Sequence, residues 1–291
     1  MEFINAVNII QSGGDHSWFG TTHNMNIYRG CNQGCIYCDS RSSCYQVKNF
    51  DTVKAKKDAD IKVESELKSK RKSGVMSMGG MSDPYNYLEE ELRYTRSSLE
   101  SMNRYKFGVS CITKNTLLER DIDLYKLINT HSPVIIGVTI TTSDDRLQSR
   151  IERNISSTTE RFQLIKQCVD EGLFTGILMM PILPFINDTL QNIEGIIEQA
   201  RKAGAKFIYP SFGVTLRDNQ RLYFFEKIGE KLTKQYIEEF GDSYMCVSPN
   251  QKELKKRFKE LCNKYGILFK MKDIVDTSKT YIKTSQITLD L

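Results

Sequence analysis

The feature that most restricts the fold of this sequence is its alternation of short, apolar, β-rich runs with longer stretches of helical period. Six such runs recur along the 291 residues, at 24–29, 74–78, 106–112, 134–141, 174–180 and 205–212. The stretches between them carry helix punctuation. Ser157 and Glu160 form a capping box ahead of Phe162, Ile165 and Val169, and Gly172 closes that segment. Asp188 is expected to open another helix, with Ile193, Ile196, Ile197 and Ala200 on one face and Gly204 at its exit. Ser248, Pro249 and Gln251 mark a third start that runs to Gly266, and 267–271 reads as a further, less regular strand. Repeated βα units build a parallel sheet. Six units fall short of the eight that close a TIM barrel, so the expected class is α/β, a partial (βα)6 TIM-like barrel with its chemistry at the carboxyl ends of the strands. The expected organisation is a core over 1–215 and a C-terminal helical extension over 216–291 packed on it. One long helix in that extension would carry Leu222, Phe225, Ile228, Leu232 and Tyr236.

The residues just beyond these runs are the ones such a fold would gather. The first run leads directly into Cys31, Cys35 and Cys38, a CxxxCxxC spacing. A structural zinc site closes with four protein ligands, whereas an iron–sulfur cubane offers four iron corners, so three thiolates leave one corner free to bind another molecule. Cys44 lies six residues further on and would supply a fourth thiolate. That keeps open a zinc-containing nucleic-acid-binding module without catalysis. Cys111, Cys168, Cys246 and Cys262 are scattered singly and read as buried core residues.

The second run ends in Gly79, Gly80, Met81, Ser82 and Asp83, where paired glycines let backbone approach a ligand and Ser82 and Asp83 can hydrogen-bond an ammonium. The same residues also suit an ordinary turn. The third run closes on Lys114, placed to meet a carboxylate, and the fourth carries Thr139 and Thr141 on one face. Apolar residues from Met180 to Ile186 follow the fifth run, with Asn187 and Asp188 as the cap of the next helix. The polar group Arg217 to Arg221 follows the sixth and fits either a substrate face or a helix start.

Eight cysteines suit a disulfide scaffold only in a short chain with a secretory signal, and the N-terminus shows neither a basic region nor a long apolar one. A reducing cytoplasm and no membrane segment are therefore expected. The net charge of +5 permits a nucleic-acid partner without demanding one. The basic run at 252–259 interleaves Leu254 and Phe258 at helical spacing and reads as the solvated face of an amphipathic helix.

CxxxCxxC with Tyr37 just before the last cysteine resembles the signature of the radical S-adenosylmethionine (SAM) enzymes. The resemblance implies a [4Fe-4S] cluster on Cys31, Cys35 and Cys38, with SAM chelated at the open iron and cleaved on reduction to a 5'-deoxyadenosyl radical that abstracts hydrogen. It implies SAM contacts at Tyr37, Gly79, Gly80, Ser82, Lys114 and Thr139, and a low-potential electron donor such as flavodoxin or ferredoxin. Tyr28-Arg29-Gly30-Cys31, Ser82-Asp83-Pro84 and Ile112-Thr113-Lys114, with the later Asn187-Asp188, look like the spore photoproduct lyase-like branch, related to DNA repair photolyases. That branch implies DNA or another nucleic acid as partner. One departure stands out, because spore photoproduct lyases carry a hydrogen-donating cysteine at the position of Gly80. Cys111 and Cys44 are the remaining candidates for that role.

Overall fold

The computed structural model describes residues 1–13 and 17–282. The chain begins with the short strands β1 (Glu2–Ile4), β2 (Ile10–Ser12), β3 (His23–Met25), β4 (Tyr28–Arg29) and β5 (Lys54–Lys56). Strands and helices then alternate: α1 (Ala59–Ser69), β6 (Val75–Met78), α2 (Glu89–Leu92), α3 (Tyr94–Arg104), β7 (Gly108–Thr113), α4 (Ile122–Ile128) and β8 (Val134–Thr139). They continue with α5 (Asp145–Ile151), α6 (Thr158–Asp170), β9 (Thr175–Met179), α7 (Leu190–Ala203) and β10 (Ile208–Pro210). The C-terminal part contains β11 (Gly213–Thr215), α8 (Asp218–Ile228), α9 (Glu230–Phe240), β12 (Met245–Val247), α10 (Gln251–Tyr265) and α11 (Met271–Thr280).

Seven strands form one sheet in the order β10-β9-β8-β7-β6-β3-β2. Every neighbouring pair from β10 to β3 is parallel, and β2 adds an antiparallel edge. Parallel strands covered on both faces read as continuous apolar runs, and β8 and β9 are buried at every residue. A single core cluster reaches from Ile9 and Met25 through Val109, Ile136 and Ile177 to Leu254 and Phe258 of α10.

Four sequence expectations change. The run 24–29 divides between two sheets: β3 stays in the main one, while β4 turns away to pair antiparallel with β5 in a three-stranded sheet with β1. The turn brings Gly30, at φ +83°, so close to the next strand's entry that a Cβ there would lie 2.6 Å from the Thr52 carbonyl oxygen. The expected strand at 267–271 reduces to one parallel bridge between Leu268 and Phe207 before α11 begins.

Helix α7 is capped by Thr189, whose hydroxyl accepts from the Asn192 amide, and not by Asp188, which instead accepts from the Ser248 hydroxyl at 2.6 Å. The expected long helix after Arg217 is two, broken at Gly229 with φ +82°. In α10 Leu254, Phe258 and Leu261 are buried and the lysines between them face outward. Among the described residues no helix is long and apolar enough to cross a membrane.

Candidate active site

The cysteine loop leaves β4 at Gly30 and is clamped from several sides. The Cys31 amide donates to the Phe50 carbonyl, and the Ile36 amide donates to the Ile151 carbonyl. Cys35 bridges Glu152, and Asn154 donates to the Asn32 carbonyl through its side chain. These bonds fix a loop that has no regular structure of its own, which is where backbone groups otherwise go unpaired.

Cys31, Cys35 and Cys38 line one pocket. Gly79, Gly80 and Ser82 enter it from the turn after β6, Lys114 from the residue after β7, and Thr139 from the end of β8. Burial pushes the Cys31 thiol up to about 12 and raises that of Cys35 as well. Such thiols give up their protons to a bound metal, whose charge reverses the penalty. Among the described residues no three His, Cys, Asp or Glu side chains gather closely enough to hold one ion. Cys44 is exposed, accepts only a hydrogen bond from Ser42, and stands outside the pocket lining, so it does not complete a zinc tetrahedron.

A multinuclear cluster makes a different demand, because each thiolate meets its own iron and the thiols need only ring a common space. Three soft donors around one pocket meet it. Gln33, inside the cysteine loop, adds a second fit: its side chain is buried in the pocket wall and its amide nitrogen has no partner, leaving a donor for an acceptor placed in the pocket.

The remaining expected residues divide. Gly79 lies at φ +93°, and a Cβ there would fall 1.9 Å from the Ile112 carbonyl oxygen, so glycine is required by the neighbouring strand. Gly80 would meet nothing within 4 Å. The Ser82 hydroxyl donates to the Gly30 carbonyl at 2.7 Å, tying the glycine turn to the cysteine loop. Asp83 is not free for an ammonium either: it accepts from the Thr113 hydroxyl, the Lys114 amide and the Tyr85 amide. For half-buried Lys114, burial opposes the charge, but Cys35, Glu152, Cys38 and Asp83 together raise the ammonium above its usual range.

Tyr37 does not line the pocket. Its ring packs in a second cluster with Ile36, Leu183 and Phe224, and its buried hydroxyl donates to Glu152. The apolar residues after β9 join the same cluster through Leu183, Phe185 and Ile186. Cys111 is fully buried in the main core and Cys44 faces solvent, so neither stands in the pocket. The polar group after β11 holds the cysteine loop: Arg217 pairs with Asp39 at 2.6 Å, and Asp218 accepts from Ser42 and Ser43.

Behind Tyr37 lies a feature that the sequence pattern did not disclose. Glu152 and Arg161 form an ion pair at 2.7 Å with both side chains fully buried, and Arg161 also donates to the Thr139 and Ser156 carbonyls. The position of Arg161 on the inward face of α6, beside Phe162 and Ile165, was the available signal.

A protein-family model described as the radical SAM superfamily matches residues 25–200. An uncharacterised protein of Methanocaldococcus jannaschii is 26% identical over 261 residues, 88% of this chain and 88% of that one. Spore photoproduct lyase complexed with dinucleoside spore photoproduct shares the fold at a TM-score of 0.64 and 11% identity, over 90% of this chain and 79% of that one. A radical SAM methyltransferase from Sphaerobacter thermophilus aligns at a TM-score of 0.51 and 15% identity, over 84% of this chain and 64% of that one.

Proposed function

Because the chain belongs to the radical SAM superfamily, we propose that it is a radical SAM enzyme that carries its cluster on Cys31, Cys35 and Cys38 and acts on a nucleic acid. Members of this superfamily use a [4Fe-4S] cluster and SAM. Together these supply, on one-electron reduction, a carbon radical strong enough to abstract hydrogen from an unactivated C–H bond. The observation that carries the reading is the convergence of the three cysteines with Gly79, Gly80, Ser82, Lys114 and Thr139 on one pocket at the carboxyl ends of the strands.

In this reading the six parallel strands and their helices are the βα units of a partial barrel over 1–215, and 216–291 is the extension. Lys114 offers a cation to the carboxylate of SAM, and Thr139 offers a hydroxyl from the next strand. Gly80 leaves its side of the pocket open. Ser82 and Asp83 position rather than bind, since both hold neighbouring loops in register. A cation and directional donors in a pocket screened from water act more strongly than in solution. The protein's part is to hold, orient and exclude water, while the cofactors carry the hard chemistry.

The nucleic-acid reading is supported by the fold shared with spore photoproduct lyase and by the Ser82-Asp83-Pro84 and Ile112-Thr113-Lys114 segments. Gly80 in place of a cysteine argues for a reaction that does not return hydrogen from that position. The test is anaerobic SAM cleavage with and without ultraviolet-irradiated, thymine-containing DNA. Faster formation of 5'-deoxyadenosine, with loss or modification of bases, is expected; an unchanged rate and unaltered DNA would contradict a DNA substrate.

A further inference from the structure

A second pocket adjoins the first, sharing Met81 and Ser82 with it and lined also by Asn26, Tyr45 and the cations Arg29 and Lys56. Its floor is Tyr28, held by Glu89, and Asn26 is the first residue beyond β3, so this pocket too opens where a strand ends.

Three observations make it chemically specific. Lys56 is half-buried, and among the described residues its ammonium has no ion pair or hydrogen bond. Glu66, the acid whose field reaches it, spends both carboxylate oxygens on the Ile9 and Ile10 amides. Arg29 gives one guanidinium nitrogen to the Gln46 carbonyl and brings a second positive charge to the same wall. Two neighbouring cations, one of them partly desolvated, create a demand for an anion. The Asn26 side-chain oxygen is buried without a donor, and an N–H group on a ligand would satisfy it. The Tyr45 hydroxyl is held by Asp39 and Arg217, and the Arg217 guanidinium also lies over the ring, 5.2 Å from its centroid, which fixes the ring in the pocket wall and leaves only the opposite face for a stacking base.

Anion, base-edge acceptor and aromatic face together match a nucleotide. We propose that this pocket is the substrate subsite: Lys56 and Arg29 take a backbone phosphate, while Asn26 and Tyr45 receive the adjoining base beside the cysteine pocket. The proposal rests on the radical SAM reading for what happens next to it, but binding is a property of this pocket alone.

The probe is the dinucleotide thymidylyl-thymidine, titrated against the anaerobic, iron-loaded protein, with its uncharged methylphosphonate isostere and inorganic phosphate as separate arms. A lost charge-assisted contact should weaken binding about 10-fold or more in Lys56→Gln, with recovery in Lys56→Arg. The same contact should make the isostere bind the wild type about 10-fold more weakly than the dinucleotide. The isostere arm needs no variant, so a misfolded Lys56→Gln does not block the decision. No binding of the dinucleotide to the wild type, or equal binding of the isostere, would overturn the proposal. Inorganic phosphate displacing the dinucleotide at equal concentration would do the same, by showing a free-anion site. SAM cleavage by the wild type without dinucleotide is measured in parallel. Its failure would count against the radical reading, while the titration still decides the subsite.

Discussion

A Cβ on Gly79 would collide with the Ile112 carbonyl, and the backbone there sits at φ +93°, whereas a Cβ on Gly80 would project into open space. Gly79→Ala should therefore cost more than about 2 kcal/mol of stability, while Gly80→Ala should move it by less than about 1 kcal/mol, read by urea unfolding. Both glycines were legible as a strand-end turn, but their difference was not, because it depends on how close β7 runs. That Cys31, Cys35 and Cys38 would gather at one place was readable from their spacing, and they line one pocket. The buried Glu152–Arg161 pair was only half signalled: Arg161 falls on the inward helical face beside Phe162 and Ile165, but its partner Glu152 comes from outside that helix, where no local pattern marks it. Its geometry makes a second prediction. Both side chains are fully buried, so Arg161→Leu leaves Glu152 as an uncompensated charge against Tyr37 and should cost about 3–5 kcal/mol. Iron retention should fall with it; an unchanged unfolding midpoint would show that the pair does not hold the loop.

Among the elements, all six anticipated runs contribute a parallel strand, because apolar β-rich segments between helices have few other ways to be buried. Boundaries fared less well where tertiary geometry decides. The chain leaves the sheet at Asn26 to deliver Gly30 and the cysteine loop, and the edge strand β2, three residues with two exposed, carries no period to read. At α7 both Asp188 and Thr189 are cap residues by type, and only the fold shows that Asp188 is occupied by Ser248. Thr189→Ala should thus cost about 1 kcal/mol by loss of the cap. Removing the Ser248 hydroxyl should instead loosen the junction between α7 and α10, seen as faster amide exchange at Asn250.

On the scale of the whole molecule, α10 shares one core with the sheet, since Leu254 and Phe258 belong to the same cluster as Val109 and Ile136, whereas Phe224 of α8 and Tyr236 of α9 pack in the second cluster with Ile36 and Tyr37. Phe258→Ala should cost about 3–5 kcal/mol and shift a single unfolding transition rather than split it. Arg217 and Asp218, at the start of α8, also grip the cysteine loop, a link that composition could not show. Cys44, exposed on that loop, should be alkylated under mild anaerobic conditions without loss of iron; release of metal on its modification would return it to the ligand set.

Cluster binding by Cys31, Cys35 and Cys38 and cleavage of SAM at that cluster stand or fall together. Their most direct test is the yield of 5'-deoxyadenosine from SAM by reduced, anaerobically prepared protein, compared with Cys38→Ala and paired with iron and sulfide content. The expected result is a brown wild type containing iron and sulfide that releases 5'-deoxyadenosine, and a variant that does not. A colourless protein holding stoichiometric zinc, with no SAM cleavage, would contradict it.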